Sequence, residues 1–104
     1  MPIQHKIYPE ARRRMIDIWH YTDKKWGEQQ ADKYIRGIYN AIEKASESKY
    51  LWRKVEHEEI KGIFYIIYQY HHIFFRELSE GRLGVVNVLH SRMDIPSRLK
   101  ESIE

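Results

Sequence analysis

Residues Ile60–Asp94 read IKGIFYIIYQYHHIFFRELSEGRLGVVNVLHSRMD, and this stretch decides the fold. It holds three short runs of β-branched and aromatic residues joined by tight connections, which predicts three antiparallel strands in a meander. Side chains alternate between the two faces of a strand, yet at residues 63–68 both alternating sets are apolar. A sheet covered on one side should instead alternate apolar and polar residues. Either the chain covers both faces, or one face awaits a partner.

Two segments with the apolar periodicity of amphipathic helices precede the strands. Apolar residues recur at steps of three and four over Ala11–Trp26 and again over Ala31–Ala45. Pro9 suits the first turn of the first helix, and Gly27 suits its end. A single glycine between two helices predicts an antiparallel hairpin. Gly37 costs the second helix about 1 kcal/mol relative to alanine, which close packing of the two helices would explain.

The remaining segments complete the order of elements. Ile3–Ile7 alternates apolar and polar residues and carries Lys6, which predicts a short first strand at a sheet edge. Tyr50–Glu59 is expected to be a connector. Near the end, Pro96 and the apolar residues that follow it predict a short final helix or a mobile tail.

These elements predict an α+β fold in one domain, residues 1–104: a short strand, a helical hairpin, a small antiparallel sheet and a short C-terminal helix or tail. A helical hairpin is wide enough to cover one face of a small sheet. No other element looks large enough to cover the second face. We therefore expect part of that face to be a binding surface.

Composition sets broad limits on function. The 104 residues include no cysteine, which excludes disulfides and thiolate metal sites and fits a reducing cytoplasm. No apolar run approaches the roughly 18 residues of a membrane-spanning helix, so no membrane association is expected. The formal net charge of +3 permits a nucleic-acid or acidic partner without arguing for one.

Three histidines fall on or beside the predicted strands: His71, His72 and His90. A metal site needs three or four convergent ligands, and no HxxxH helix motif or cysteine supports one, so surface or hydrogen-bonded histidines are favoured. The chain has no GxSxG motif and no phosphate-binding loop, and we expect no cofactor. The interleaved aromatic and basic residues of HHIFFR fit a core strand better than a base-stacking platform.

Metal-free cleavage of RNA is a more serious possibility. It needs a base for the 2′-hydroxyl, a cation for the phosphate and an acid for the leaving group. Arg76, His90 and Arg92 lie on adjoining predicted strands and could share a face. The alternative, which we favour on the residues alone, is that these side chains are solvated strand ends.

The sequence resembles the ParE toxins of the RelE/ParE superfamily from about Ile7 to Leu99. The resemblance rests on IWHYTDKKWGEQQADKYI at Ile18–Ile35, on HIFFRE and on VLHSRMD at Val88–Asp94, in this order and spacing. The family fold, a strand, a helical hairpin and an antiparallel sheet, agrees with the order of elements above.

The resemblance implies the toxin of a type II toxin–antitoxin pair involved in growth arrest and plasmid or genome maintenance. ParE-like toxins block DNA gyrase and so stop replication, with no reaction of their own. The expected antitoxin is ParD-like. Its ribbon-helix-helix part binds operator DNA, so the toxin meets that DNA only indirectly, and its C-terminal segment wraps the toxin by helix-in-groove and strand-addition contacts.

The RelE-like branch of the superfamily instead cuts messenger RNA on the ribosome. Its members tend to carry an arginine where this chain has His72, another at the position of Arg92, and a tyrosine or histidine in the tail. No tyrosine follows Tyr70 here. These departures favour a toxin that acts by binding, with the endoribonuclease, or a non-toxic protein that keeps only antitoxin binding, as alternatives.

From the resemblance we predict two surfaces. The gyrase-binding surface is expected to hold Arg76, His90, Arg92, Met93, Asp94 and Arg98. The antitoxin-binding surface is expected to hold Trp19, Trp26, Tyr34, Ile63, Tyr65 and Phe75. No catalytic residue and no metal ligand is assigned.

Overall fold

The structure, a computed structural model, describes residues 5–93 and 95–103, with side chains as far as Lys100. Its helices are α1 (Pro9–Trp26), α2 (Glu28–Glu47) and α3 (Ile95–Ile103). Its strands are β1 (Lys6–Ile7), β2 (Arg53–Lys54), β3 (Phe64–Tyr68), β4 (His71–Glu77) and β5 (Leu83–His90). No helix in the described part of the chain is long and apolar enough to cross a membrane.

The predicted helical hairpin is confirmed, and a single glycine makes it. Gly27 has a φ of 94°, a backbone conformation that residues with a Cβ rarely adopt. Its N–H donates to the Asp23 carbonyl at 2.8 Å, and its carbonyl accepts from the Ala31 N–H at 3.1 Å. Gly27 therefore ends α1 and begins α2 without an intervening loop.

The strands form one five-stranded sheet in the order β1-β5-β4-β3-β2. The meander of β3, β4 and β5 is antiparallel as predicted, and β1 lies at an edge, where it pairs parallel with β5. Ile3 and Gln4 of the predicted first strand lie outside the described residues. The connector contains a strand that the sequence reading missed, β2, which pairs with Phe64 and Tyr65.

The helical hairpin covers one face of the sheet as expected. Alternate residues of β3, β4 and β5 pack there against the buried stripe of both helices, which includes Ala11, Met15, Ile38 and Ile42. The stripe of α1 stops earlier than predicted, because Trp26 is 66% exposed. Gly37 is explained by the sheet rather than by α1, since a Cβ there would lie 1.8 Å from the Tyr68 hydroxyl oxygen.

The expectation that the second face lies open is wrong. A second cluster of buried residues lies on this face. In it Phe74, Val86 and Leu89 of the sheet are packed with Ile60, Ile63 and Leu99, which come from outside the strands. Leu99 of α3 is fully buried, and Ile60 and Ile63 come from the connecting segment before β3. A short amphipathic helix and one loop are enough because the sheet is small. Both apolar faces are thus used within the chain, and a binding surface has to be sought elsewhere.

Candidate functional site

A groove of about 560 Å³ opens where the tip of the helical hairpin meets the end of the sheet. Three segments of the chain build its walls: the hairpin tip, the β3–β4 turn and the residues that follow β5. We call it the aromatic groove. Its lining residues are Tyr21, Trp26, Gln30, Tyr34, Gln69, Tyr70, His71, His90, Ser91 and Arg92.

Large exposed aromatic rings mark the rim of the aromatic groove. Trp26 and Tyr70 are each 66% exposed, and Tyr21 is 59% exposed. The Lys25 ammonium lies 5.2 Å from the centre of the Tyr21 ring and 5.9 Å from that of Trp26. Rings left in water gain little for folding, but buried under a partner they are the residues that dominate binding energy. The rim is therefore a candidate contact surface.

The floor of the aromatic groove is a hydrogen-bonded pair, Tyr34 and His71. The Tyr34 hydroxyl lies 2.7 Å from Nδ1 of His71. Burial, together with the neighbouring His90 and His72, lowers the pKa of His71 to about 4, so the imidazole is neutral near pH 7. Burial likewise raises the pKa of Tyr34, which keeps its proton. Tyr34 is thus the donor and neutral His71 the acceptor.

A tight turn after β5 presents the cation of the groove. The Ser91 N–H donates to the Tyr70 carbonyl at 3.0 Å, and the Met93 N–H donates to the His90 carbonyl at 3.0 Å. Nδ1 of His90 accepts from the Arg92 N–H at 3.1 Å. These bonds fix the backbone on which the exposed Arg92 sits.

The predicted gyrase-binding residues separate into groups. His90 and Arg92 line the aromatic groove, while Met93 borders an adjoining cavity of about 330 Å³ beside α1. Arg98 is exposed on α3, and Asp94 lies outside the described residues. Arg76 pairs with Gly84, five positions along β4 from the His71–His90 pair, and its guanidinium lies 5.7 Å from the centre of the Tyr8 ring. The structure therefore does not bring Arg76 to the others.

The predicted antitoxin-binding residues also separate. Trp26 and Tyr34 line the aromatic groove. Trp19 lies on α1 and donates its Nε1–H to Asp32 of α2 at 2.8 Å, and Tyr65 stacks on His72 with ring centres 5.2 Å apart. Ile63 and Phe75 are 2% and 1% exposed, in the clusters on opposite faces of the sheet. Because these two side chains are buried in the hydrophobic cores, they offer no surface to a partner.

Sequence reasoning selected Trp26, Tyr34, His90 and Arg92 but missed the other residues that line the groove, among them Tyr21, Tyr70 and His71. Tyr21 lies outside the buried stripe of α1. An aromatic residue on the polar face of an amphipathic helix is a signal of a contact surface, and this signal was available in the sequence. Tyr70 follows Gln69, whose φ is 51°. A large aromatic in a two-residue turn between strands is exposed by geometry, which was a second usable signal.

The three histidines do not converge. His71 and His90 pair across the strands with ring centres 5.3 Å apart, whereas His72 turns to the other face and stacks on Tyr65. Within residues 5–93 and 95–103 no group of three or more potential ligands gathers around a point that could hold a metal ion. The two positions at which the RelE-like branch tends to carry arginines, His72 and Arg92, accordingly lie apart: His72 stacks on Tyr65, and Arg92 lines the aromatic groove.

Comparison with known proteins gives a consistent picture. The family model described as the ParE toxin of type II toxin-antitoxin system, parDE, matches residues 6–95. Toxin ParE1 of Mycobacterium tuberculosis strain H37Rv is 33% identical over 100 residues, covering 95% of this chain and 100% of that protein. Toxin ParE1 of Caulobacter vibrioides is 24% identical over 95 residues, covering 91% of this chain and 96% of that protein.

The fold is shared with a solved structure as well. The chromosomal ParDE TA system from P. aeruginosa contains a chain that matches with a TM-score of 0.67 at 12% identity, covering 86% of this chain and 96% of that one. This likeness confirms the predicted RelE/ParE-like α+β architecture. With the family match over residues 6–95, it leads to one conclusion: the chain belongs to the ParE toxin family of type II toxin–antitoxin systems.

Proposed function

We propose that this chain inhibits DNA gyrase by binding it, and that a ParD-like antitoxin neutralises it. The observation that carries the proposal is the ParE family match over residues 6–95, since ParE-like toxins act on gyrase without a reaction of their own. Gyrase acts on chromosomal and plasmid DNA, so the site of action is the bacterial cytoplasm. Operator DNA is reached only through the antitoxin.

The gyrase-binding surface proposed here is the turn after β5 together with α3. Arg92 is exposed on that turn, and the bonds of Ser91 and Met93 to the backbone hold it in place. Because the backbone is already fixed, only the Arg92 side chain has to be ordered on binding, which favours recognition of an acidic surface. Arg98, which is exposed on α3, is the second cation of the proposed surface.

The antitoxin surface proposed here is the rim of the aromatic groove. Tyr21, Trp26 and Tyr70 supply the large exposed rings that anchor protein interfaces. His90 and Arg92 line the same groove. An antitoxin segment seated on the rings therefore covers the cation proposed to meet gyrase, and neutralisation follows from direct occlusion.

A ribonuclease is the second candidate, because His71, His90 and Arg92 line one groove. Two features weigh against it. With its pKa lowered to about 4, His71 is a weak base and is not an acid near neutral pH. Its Nδ1 is also engaged by Tyr34. His71 is therefore unsuited to serve as the acid or the base of RNA cleavage.

The test is a gyrase supercoiling and cleavage assay with purified chain, with and without its ParD-like antitoxin. We expect inhibited supercoiling and trapped, cleaved DNA, both reversed by antitoxin. A folded chain that leaves gyrase untouched would remove the proposal. Cleavage of ribosome-bound messenger RNA would then establish the ribonuclease, and antitoxin binding without either activity would establish a non-toxic interaction protein.

A further inference from the structure

One histidine side chain touches both of the surfaces proposed above. His90 is the last residue of β5, and its half-buried ring lines the aromatic groove. It contacts Tyr70, a ring of the proposed antitoxin surface, and Arg92, the cation proposed to meet gyrase. The two contacts use different parts of the His90 side chain.

A ring nitrogen of His90 holds the turn that carries Arg92. The Arg92 backbone nitrogen lies 3.1 Å from Nδ1 of His90. Since a backbone N–H can only donate, Nδ1 is the acceptor. An asparagine or aspartate side chain closes a turn in the same way, by bonding to its own backbone two residues further on. The Met93 N–H donates to the His90 carbonyl at 3.0 Å, so the side chain and the main chain of His90 close the same turn.

The ring of His90 is stacked with that of Tyr70. The two rings are nearly parallel, with an angle of 8° between their planes and 6.4 Å between their centres. The His71 ring meets the His90 ring edge-on, with centres 5.3 Å apart. Aromatic pairs in these arrangements attract each other beyond the effect of burial alone. The His90 ring therefore restricts the orientations that are open to the exposed Tyr70 ring.

We infer that His90 is a positioning residue for both partners and serves each through a different feature of its side chain. Its Nδ1 acceptor orients Arg92 for gyrase, and its ring orients Tyr70 for the antitoxin. The inference rests on the proposed function and names a residue that acts through its neighbours. A group that is already ordered loses less conformational freedom on binding, so loosening one of the two contacts weakens binding of one partner.

Direct contact with a partner is the other role open to His90. The bond to the Arg92 N–H argues against it for Nδ1, because that nitrogen already has a donor within the chain. A direct contact through the rest of the imidazole would be lost with any replacement. A positioning role depends instead on which feature the replacement keeps, the acceptor or the ring.

The experiment compares two substitutions at His90 in the full-length chain, by gyrase supercoiling and by antitoxin titration. His90→Phe keeps a ring and removes the acceptor, so gyrase inhibition should weaken about fivefold and antitoxin affinity by less than about twofold. His90→Asn keeps an acceptor for the Arg92 N–H and removes the ring. It should weaken antitoxin affinity about fivefold and gyrase inhibition by less than about twofold.

His57 offers a matched control. Its Nδ1 accepts from the Glu59 N–H at 3.1 Å, the same bond over two residues, in the loop before β3 and outside the aromatic groove. His57→Phe should therefore change both readouts by less than about twofold. Hydrogen exchange at the Arg92 amide tests the turn without any partner. Exchange should be faster in His90→Phe than in the unmodified chain, and slow in His90→Asn.

The outcomes separate the inference from the proposed function. If the unmodified chain inhibits gyrase and both folded His90 variants lose the two activities to the same extent, His90 is a contact residue. The inference is then wrong and the proposed function stands. Unchanged exchange at Arg92 in His90→Phe would also overturn the inference, because Nδ1 would not be holding the turn. If the unmodified chain leaves gyrase untouched, the proposed function falls and the inference falls with it.

Discussion

Two regions of this molecule hold large apolar side chains, and they use them in opposite ways. Under α3, Ile63, Phe74 and Leu99 are at most 2% exposed and form a closed cluster. At the hairpin tip, Trp26 and Tyr70 are each 66% exposed and border a groove. The first region stabilises the fold, and the second contributes little to it.

The difference shows that hydrophobicity alone does not identify a binding surface in a small domain. The sheet has two apolar faces, and the chain covers both of them with its own helices and one loop. What remains for partners is a set of exposed aromatic rings that belong to neither core cluster. Burial in the structure therefore distinguishes core residues from candidate contact residues, although both are large apolar residues in the sequence.

The largest effect is expected in the closed cluster. Leu99→Ala removes a fully buried side chain that attaches α3 to the sheet, and should lower the free energy of unfolding by about 3 kcal/mol. Urea unfolding measures the loss. Ile16→Ala, at a side chain that is 51% exposed, is the matched control and should change it by less than about 0.5 kcal/mol. Equal losses in both variants would contradict the idea that α3 closes the second face.

The aromatic groove should respond in the opposite manner. Trp26→Ala should leave the free energy of unfolding within about 0.5 kcal/mol, yet cost at least about 2 kcal/mol of antitoxin binding. Urea unfolding and titration calorimetry measure the two quantities. Tyr50→Ala removes another exposed ring, 83% accessible and outside the groove, and should affect neither. If Trp26→Ala unfolds the chain as readily as Leu99→Ala, the two regions are not distinct.

The stability of the fold should depend on pH because of His71, on the floor of the aromatic groove. His71 has a pKa of about 4 in the folded chain and an ordinary value near 6.5 when unfolded, so the unfolded chain binds its proton first. Stability should be complete above pH 6.5 and fall as the pH drops toward 4. Since the partly exposed ring is screened by solvent, the loss should be roughly 1.5 kcal/mol.

Urea unfolding at pH 7 and pH 4.5 measures this loss. His71→Gln keeps an acceptor for the Tyr34 hydroxyl but cannot titrate, so its stability should change less between the two pH values. An equal decrease in both proteins would place the titration elsewhere in the chain.

The smallest effect concerns Gly37. A Cβ there overlaps the Tyr68 hydroxyl, so Gly37→Ala should destabilise the fold by about 1 kcal/mol in spite of its better helix propensity. With Tyr68→Ala the overlap disappears, and the same change should stabilise α2 by about 1 kcal/mol. Thermal or urea unfolding of the four proteins in this cycle is the measurement. Destabilisation in both backgrounds would mean that another neighbour requires the glycine.

Much of the fold could be predicted because local patterns specify it. Gly27 between two stripes dictates the hairpin, and β-branched runs with tight turns dictate the meander. β2 was missed because its two residues, Arg53 and Lys54, have no apolar pattern of their own and pair only through tertiary contact. The cover of the second face was missed because one buried leucine on a short helix gives a weak signal.

The candidate site was harder to predict, for a physical reason. Of the three residues that the sequence suggested could share a face, His90 and Arg92 line one groove, whereas Arg76 lies five positions further along β4. Ile63 and Phe75 are large apolar residues of a kind that can form an interface, but both are buried in the core. Asn87 is a polar residue with the burial of a core residue: it is fully buried, and its Oδ1 accepts from the Val88 N–H at 2.8 Å.

The central claim is that the cation of the aromatic groove acts on gyrase and that the antitoxin covers it. The most direct test is the supercoiling assay with Arg92→Ala beside Arg12→Ala, which removes an exposed arginine about 21 Å along α1 from Trp26. We expect that Arg92→Ala abolishes inhibition while the chain stays folded, and that Arg12→Ala inhibits gyrase and is reversed by antitoxin. Full inhibition by Arg92→Ala would contradict it.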